Sequence, residues 1–324
     1  MADVLAHGGA LSRRAQLAWA AGLVLLAVAP MLGVYKVALA NALCFGLFAM
    51  AFNLLLGFTG LLSFGHAAFF GGAAYISAAL MRDAGWSVEF GLLAGFGTGA
   101  LLGLVIGSIA IRRQGIYFAM ITLALAEIVN YLCKRNTDFT GGEDGMQSIP
   151  RGRLFHFIDM SNDWVMYYAV LALVVLVFLL IVRVIHSPFG QVLKAIRENE
   201  PRAVSLGYDV NRYKLMAFVL SAGLSGFAGG LKTIVASSAT LTDVNWPVSG
   251  SVILMTLLGG LGTFAGPIVG AITIVGLENF LADRAGSWIK VIIGAIFVVC
   301  VLAFRRGFVG ELLEWQKRVL RRGR

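Results

Sequence analysis

Ser187, Pro188, Asn199, Pro201 and Gly207 stand at the spacing of two short helices laid end to end, inside a charged stretch from Ser187 to Lys214 that separates two long apolar runs. Serine ahead of proline is a helix cap with proline at the first helical position. Val192, Leu193 and Ile196 then recur at helical spacing, with Lys194, Arg197 and Glu198 on the other face. Asn199 and Pro201 restart the helix, Ala203, Val204 and Leu206 give it an apolar side, and Gly207 is the residue expected just past its end. The chemistry on offer is recognition. An apolar face framed by charge is presented either to a soluble partner or, lying flat, to anionic lipid.

Covalent chemistry has little support. Cys44, Cys133 and Cys300 fall in or at the ends of apolar runs, far apart, so neither a disulfide framework nor a CxxC metal site is present. Four histidines lack ligand spacing, and no metal site is expected. Gly226 to Thr233 reads GFAGGLKT, one residue away from a phosphate loop, with Leu231 where glycine must precede the lysine and with no strand ahead of it. The chain is therefore expected to have no ATP site of its own. No nucleophile, base and orienting acid occur at recognisable spacing, so no catalytic residue and no cofactor are assigned. Glu127 is different, because it lies eleven residues after Ile116 in an otherwise apolar run. Either it faces a polar interior or cavity, or it sits close enough to the outer surface, with Asn130 and Lys134, to be solvated there.

The elements that carry these residues must be membrane helices. Hydrophobic residues make up 59% of the chain and charged ones 13%, with 40 glycines and a mean hydropathy of +0.84, which excludes a soluble domain. From Val37 to Met81 there is no Asp, Glu, Lys or Arg, and as helix this run would extend ~68 Å against ~30 Å of hydrocarbon. It must cross twice. The same arithmetic predicts spans near 17–35, 37–56, 65–81, 89–111, 115–133, 164–185, 214–236 and 287–304. Val244 to Leu277 is uncharged and, at about 50 Å, too long for one upright crossing. Glycines at Gly95, Gly99, Gly103 and Gly107, and at Gly266 and Gly270, mark helix contacts in lipid.

Positive charge sets the orientation. The loop 183–214 holds six Lys/Arg against three acids and 305–324 holds seven against two, so these segments face the cytoplasm together with Arg13, Arg14, Arg112 and Arg113. The balanced loop 134–163 faces out. Both termini inside require an even number of crossings, so 244–277 is expected to form two short helices broken around Gly259-Gly260-Leu261-Gly262 and Gly266-Pro267, giving ten spans. Arg13 and Arg14 before an apolar run also resemble a cleavable or twin-arginine signal, but Pro30 directly after the cleavage-like Ala-Val-Ala argues for a retained first helix. The expected organisation is a cytoplasmic tail at 1–14, a membrane domain at 15–304 and a basic cytoplasmic tail at 305–324.

Several segments in order resemble one family. Gly57-Phe58-Thr59-Gly60-Leu61-Leu62-Ser63-Phe64-Gly65-His66, then Gly115-Ile116-Tyr117 through Glu127-Ile128, then Thr140-Gly141-Gly142, are similar to landmarks of the LivM-type permease subunits of branched-chain amino acid ABC importers. The resemblance continues through Lys194 to Glu200, Leu206-Gly207, Leu258 to Thr263 and Ala265-Gly266-Pro267. It implies an all-α, type II ABC importer permease fold in the bacterial inner membrane. It also implies a related LivH-type permease subunit, two cytoplasmic ATPases and a periplasmic binding protein as partners. On this basis Leu193, Ile196, Arg197, Glu200, Ala203, Val204, Leu206 and Gly207 would form the coupling element that docks on an ATPase. The general importer pattern of Glu-Ala-Ala before the glycine is here only Pro201-Arg202-Ala203, with Glu200 displaced by one.

An amino acid zwitterion cannot shed its hydration into hydrocarbon, so such a permease must supply a polar path. The breaks at Gly57, Gly60, Ser63 and His66 and at Gly259, Gly262, Gly266 and Pro267, with Glu127, are the candidates for that path or its gate. The alternative, which the glycine-rich sequence favours, is that both breaks are tight interhelical turns at the cytoplasmic surface. Branched-chain or other hydrophobic amino acids are the expected cargo, with urea, short amides or aromatic acids as alternatives. An ion-coupled secondary transporter would need intramembrane ionisable residues at a midplane site, where Glu127 alone applies. An intramembrane enzyme would need a catalytic constellation.

Overall fold

The computed structural model describes residues 13–155, 157–303, 307–308 and 310–311. The expected terminal tails lie almost wholly outside the described residues. Within them the chain is helical nearly throughout: α1 (Arg13–Val28), α2 (Lys36–Thr59), α3 (His66–Arg82), α4 (Val88–Ala110), α5 (Ile116–Arg135), a single turn α6 (Thr137–Thr140), α7 (Asp163–His186), α8 (Pro188–Glu198), α9 (Glu200–Ser205), α10 (Val210–Ala236), α11 (Trp246–Gly259), α12 (Gly266–Ala285) and α13 (Ile289–Ala303). A two-stranded ribbon pairs β1 (Arg153–Leu154) with β2 (Ile158–Asp159).

Among the described residues five helices, α2, α4, α5, α7 and α10, are long and apolar enough to cross a membrane. Their packing sorts them into a centre and a rim. In the most apolar windows of α2 and α10, 83% and 78% of residues are buried within the chain, against 33% or fewer in those of α4, α5 and α7. The rim helices turn Leu93, Leu101, Val105, Met120, Ile128, Leu176 and Leu179 outward, a distribution that suits lipid and not water. α10 is the hub, packing on α2, α3 and α4. The α4 glycine stripe makes the last of these contacts possible: a Cβ on Gly99 would run into the Ala222 carbonyl and come within 3.0 Å of the Gly226 Cα, and one on Gly95 within 3.0 Å of the Gly226 carbonyl oxygen. Gly266 and Gly270 do the same between α12 and α11, where Cβ atoms would meet the Gly259 and Met255 backbone.

The bundle has two distinct ends. At one, the loop 136–162 folds across the helix termini. Met146 bridges to Ala239, and Arg151 pairs with Asp163 at 2.7 Å while reaching the Ser237 hydroxyl at 3.3 Å. Here too the Tyr167 and Tyr168 hydroxyls donate to the Leu26 and Ala27 carbonyls, and Lys36 sits 4.1 Å over the Trp164 ring. The other end carries α8 and α9. α11 and α12 are the two helices expected from 244–277, separated by a break at 260–265, and Gly307 returns to lie against Gly260. α3, at 17 residues, matches the span expected at 65–81 to within one residue, whereas α12 runs past the uncharged stretch 244–277, through Glu278 to Ala285.

Candidate functional site: the α8–α9 end and the two glycine breaks

The two short helices form as their caps dictate. The Ser187 hydroxyl accepts from Gly190 N at 3.4 Å, Asn199 Oδ1 accepts from Arg202 N at 3.1 Å, and Gly207 takes φ +85°, a left-handed value suited to glycine. Their apolar faces divide. Leu193 and Ile196 are 0% and 3% exposed, and Ile196 packs with Ala203 and Val210 in a small core edged by Val192 and Tyr213. The stripe that was expected to meet a partner is thus buried within the chain, Ile196 against α9 and the start of α10. Val204, Leu206 and Tyr208, at 56%, 68% and 40% exposure, form the apolar surface left outward. Partial burial of the Lys194 ammonium pushes its pKa below the usual lysine value, because the charged form loses hydration.

Two charged residues fasten this pair to the bundle. Arg197 donates from Nη1 to the Gly57 carbonyl. Glu200 Oε1 accepts from Lys214 Nζ at 2.7 Å and from Gln114 Nε2 at 2.9 Å, and the Lys214 side chain is 4% exposed. The α9 start is thereby joined to the base of α10 and to the turn between α4 and α5.

The glycine breaks are built differently from one another. In the first, Gly60 at φ +81° ends α2, and residues 61–65 run inward to His66. Ser63 and His66 are wholly buried. The backbone groups that the break frees are satisfied by side chains: Phe64 N donates to Thr122 Oγ1 at 3.2 Å, Gly65 N to Ser63 Oγ at 3.2 Å and Ala67 N to Ser249 Oγ at 2.8 Å. The Ser221 hydroxyl donates its one hydrogen to the Ala51 carbonyl at 2.6 Å, so His66, 3.0 Å away, must donate from Nε2 to the Ser221 oxygen. Ser221 is eleven residues into α10, about 16 Å from its start, so this break reaches well into the bundle.

The second break stays at the α8–α9 end. Asn53 clasps it with two bonds, receiving Gly262 N at 3.0 Å and donating to the Thr263 carbonyl at 2.9 Å. Gly259 closes on Gly266, Thr263 Oγ1 accepts from Gly266 N at 3.1 Å, and Pro267 opens α12. Gly57, Gly60 and Gly262 therefore meet around Arg197. Ser63, His66, Gly259, Gly266 and Pro267 do not touch it.

Glu127 stands apart from all of these, eleven residues beyond the start of α5. Its Oε2 accepts from Asn130 Nδ2 at 3.2 Å, while Oε1 is shielded with no donor against it. Lys134 is engaged elsewhere, at 3.1 Å from Glu143. A separate apolar cavity of about 390 Å³ is lined by Leu258, Ile274, Phe280, Ile293, Cys300 and Phe308 and contains none of the candidate residues.

Three structural features around these sites were missed in the sequence. Asn53, the one polar amide amid the apolar run 37–58 apart from Asn41, was a legible signal for the clasp. Lys214 and Gln114 gave none, since their meeting with Glu200 depends on which helix ends adjoin. The buried pair Lys232 and Asp243, 2.5 Å apart with Thr240 also on Asp243 at 2.9 Å, joins α10 to the turn before α11 at the opposite end.

Residues 35–301 match the protein family described as "Branched-chain amino acid transport system / permease component". The high-affinity branched-chain amino acid transport system permease protein LivM of Escherichia coli (strain K12) is 30% identical over 225 residues, covering 63% of this chain and 53% of the relative. The probable branched-chain amino acid transport permease protein LivH of Methanocaldococcus jannaschii is 28% identical over 163 residues, 46% of this chain and 48% of the relative. The L-arabinose ABC transporter permease protein AraH of Azospirillum brasilense is 28% identical over 218 residues, 63% and 60% of the two chains. The chain spans about half the length of the curated relatives it matches. No solved structure matches it. With the family match running from α2 into α13, through both breaks and the α8–α9 pair, the chain belongs to the branched-chain amino acid transport system permease family.

Proposed function

We propose that the chain is a membrane-spanning subunit of an ATP-driven importer for branched-chain or other hydrophobic amino acids, with a type II permease fold and ten crossings. In this reading α1, α2, α3, α4, α5, α7, α10, α11, α12 and α13 cross the inner membrane, the α8–α9 end is cytoplasmic with both termini, and the loop 136–162 is periplasmic. The partners are a LivH-type permease subunit, two cytoplasmic ATPases that hydrolyse the ATP, and a periplasmic binding protein. The observation that carries the reading is the capped helix pair α8–α9, which leaves Val204, Leu206 and Tyr208 exposed outside the apolar bundle while its other face is anchored within it. An apolar patch of this kind at the end of a membrane domain suits docking to a soluble subunit.

The relatives include an arabinose permease, so membership of the wider group does not by itself name the cargo. The amino acid reading follows from the LivM and LivH names of the other matches. Glu127 is the candidate polar element along α5. Reconstitution in liposomes with the ATPases, the second permease and the binding protein tests the proposal. Uptake of labelled leucine that requires ATP and the binding protein is the expected result. Uptake driven by an ion gradient without ATP would refute it in favour of a secondary transporter.

A further inference from the structure

Three glycines from two separate breaks converge on one side chain of the cytoplasmic helix pair. Arg197 donates to the Gly57 carbonyl. Its Cγ lies 3.2 Å from where a Cβ on Gly60 would sit, and its Nη1 lies 3.3 Å from where a Cβ on Gly262 would sit. Gly262, at φ +71°, is held against Gly57 by the Asn53 clasp, and a Cβ on Gly57 would come within 2.9 Å of Gly262 N. The seat is thus a shallow backbone cradle that side chains would fill, and the arginine of α8 occupies it.

Three residues later Glu200 grips different elements, Lys214 at the base of α10 and Gln114 in the turn that feeds α5. The apolar packing of Ile196 against Ala203 and Val210 can slide, because dispersion contacts are not directional. Charge-assisted hydrogen bonds cannot, since they weaken steeply when misaligned.

Resting on the functional reading above, we infer that Arg197 and Glu200 are the positioning residues that carry movement of the docked helix pair into the membrane domain. Arg197 drives the junction of α2 with the α11–α12 break, and Glu200 drives the base of α10 and the start of α5. The two grips lie on either side of the α8–α9 junction at Asn199, so a tilt of the pair moves α2 and α10 relative to one another. Gly57, Gly60 and Gly262 act in this scheme as the seat of a transmission contact, not as pathway lining.

The test uses the complete importer in liposomes, with Arg197→Ala, Arg197→Lys, Gly262→Ala, Glu200→Gln and the Arg197→Ala/Gly262→Ala double variant. Three quantities are read: ATPases retained on purification, ATP hydrolysed, and substrate taken up per ATP. Arg197→Ala and Gly262→Ala are each expected to retain the ATPases and hydrolyse ATP, while uptake per ATP falls about tenfold, the effect of losing one hydrogen bond to a charged group. The double variant should be no worse than either single one, since both remove the guanidinium from the same seat, one by deleting it and the other by filling its place. Arg197→Lys keeps a donor for the Gly57 carbonyl and should recover part of the ratio, whereas Glu200→Gln should lower it independently. Unchanged uptake per ATP in both Arg197→Ala and Gly262→Ala overturns the inference, as does loss of the ATPases from Arg197→Ala, which would make the arginine a docking residue. Absence of ATP-driven uptake in the wild-type assembly is a separate outcome, and it removes the functional reading itself.

Discussion

Ile196 and Val204 lie eight residues apart on what the sequence alone presents as one continuous apolar display, and the structure gives them opposite roles. Ile196 is 3% exposed and inserted between Ala203, Val210, Val192 and Tyr213. Truncating such a residue costs about 2–5 kcal/mol, and an aspartate adds the desolvation of a carboxylate, several kcal/mol more. That sum is comparable with the whole stability of a folded domain, about 5–15 kcal/mol. Ile196→Asp should therefore release α8 and α9 from α10 in the isolated permease, visible as a lowered and broadened thermal transition in detergent and as new protease sensitivity between 187 and 214. Val204, 56% exposed, should behave differently. Val204→Asp costs the isolated permease no more than about 0.5 kcal/mol, the range of surface substitutions, and its melting should match the wild type. Against a docked ATPase the same change buries a charge at an apolar contact and should weaken retention by about 30-fold, or 2 kcal/mol. The paired assay is thermal melting of each permease alone and co-purification of the ATPases with each. If Ile196→Asp melts like wild type yet loses the ATPases, while Val204→Asp binds them normally, the buried and exposed faces have been assigned the wrong way round.

Four further outcomes are expected. Gly99→Val should separate α4 from α10, because even a Cβ there meets the Ala222 carbonyl and the Gly226 Cα; reduced thermal stability and impaired insertion are the readout, whereas Gly97→Ala, with open space around it, should leave both intact. Lys232→Met strands Asp243 in a site 6% exposed and should cost about 3–5 kcal/mol, while Lys232→Met with Asp243→Asn should recover most of the loss; an equally damaged double variant would show that the charges are not coupled. Glu127→Gln, which keeps the bond to Asn130, should lower transport less than Glu127→Leu, and normal transport by the leucine variant would remove Glu127 from the pathway. Single cysteines at Asn199 and Gly262 should be labelled from the cytoplasm and those at Asp144 and Gly286 from the periplasm; labelling of 262 and 286 from the same side would remove the two short crossings of α11 and α12.

Much of this protein is decided by local composition and period. The helices follow from long uncharged runs, since a backbone in hydrocarbon must satisfy its own hydrogen bonds. The split of 244–277 into α11 and α12 follows from the stretch Gly259 to Pro267, which no continuous helix accommodates, and the two short helices follow from Ser187, Pro188, Asn199, Pro201 and Gly207. Those signals act over a few residues, so one chain read in order contains them. What faces what is another matter. The stripe of Leu193 and Ile196 announces burial without naming the neighbour, and Ile196 meets α10 only because the base of that helix at Val210 folds back beside α8. The two glycine breaks read alike, yet one reaches His66 deep beside Ser221 while the other stays clasped by Asn53 near Arg197, a distinction set by contacts 140 to 209 residues apart in the chain. Side-chain partners at that separation depend on which helix ends the packing brings together, and small residues such as Gly99 and Gly226 permit that packing without specifying it.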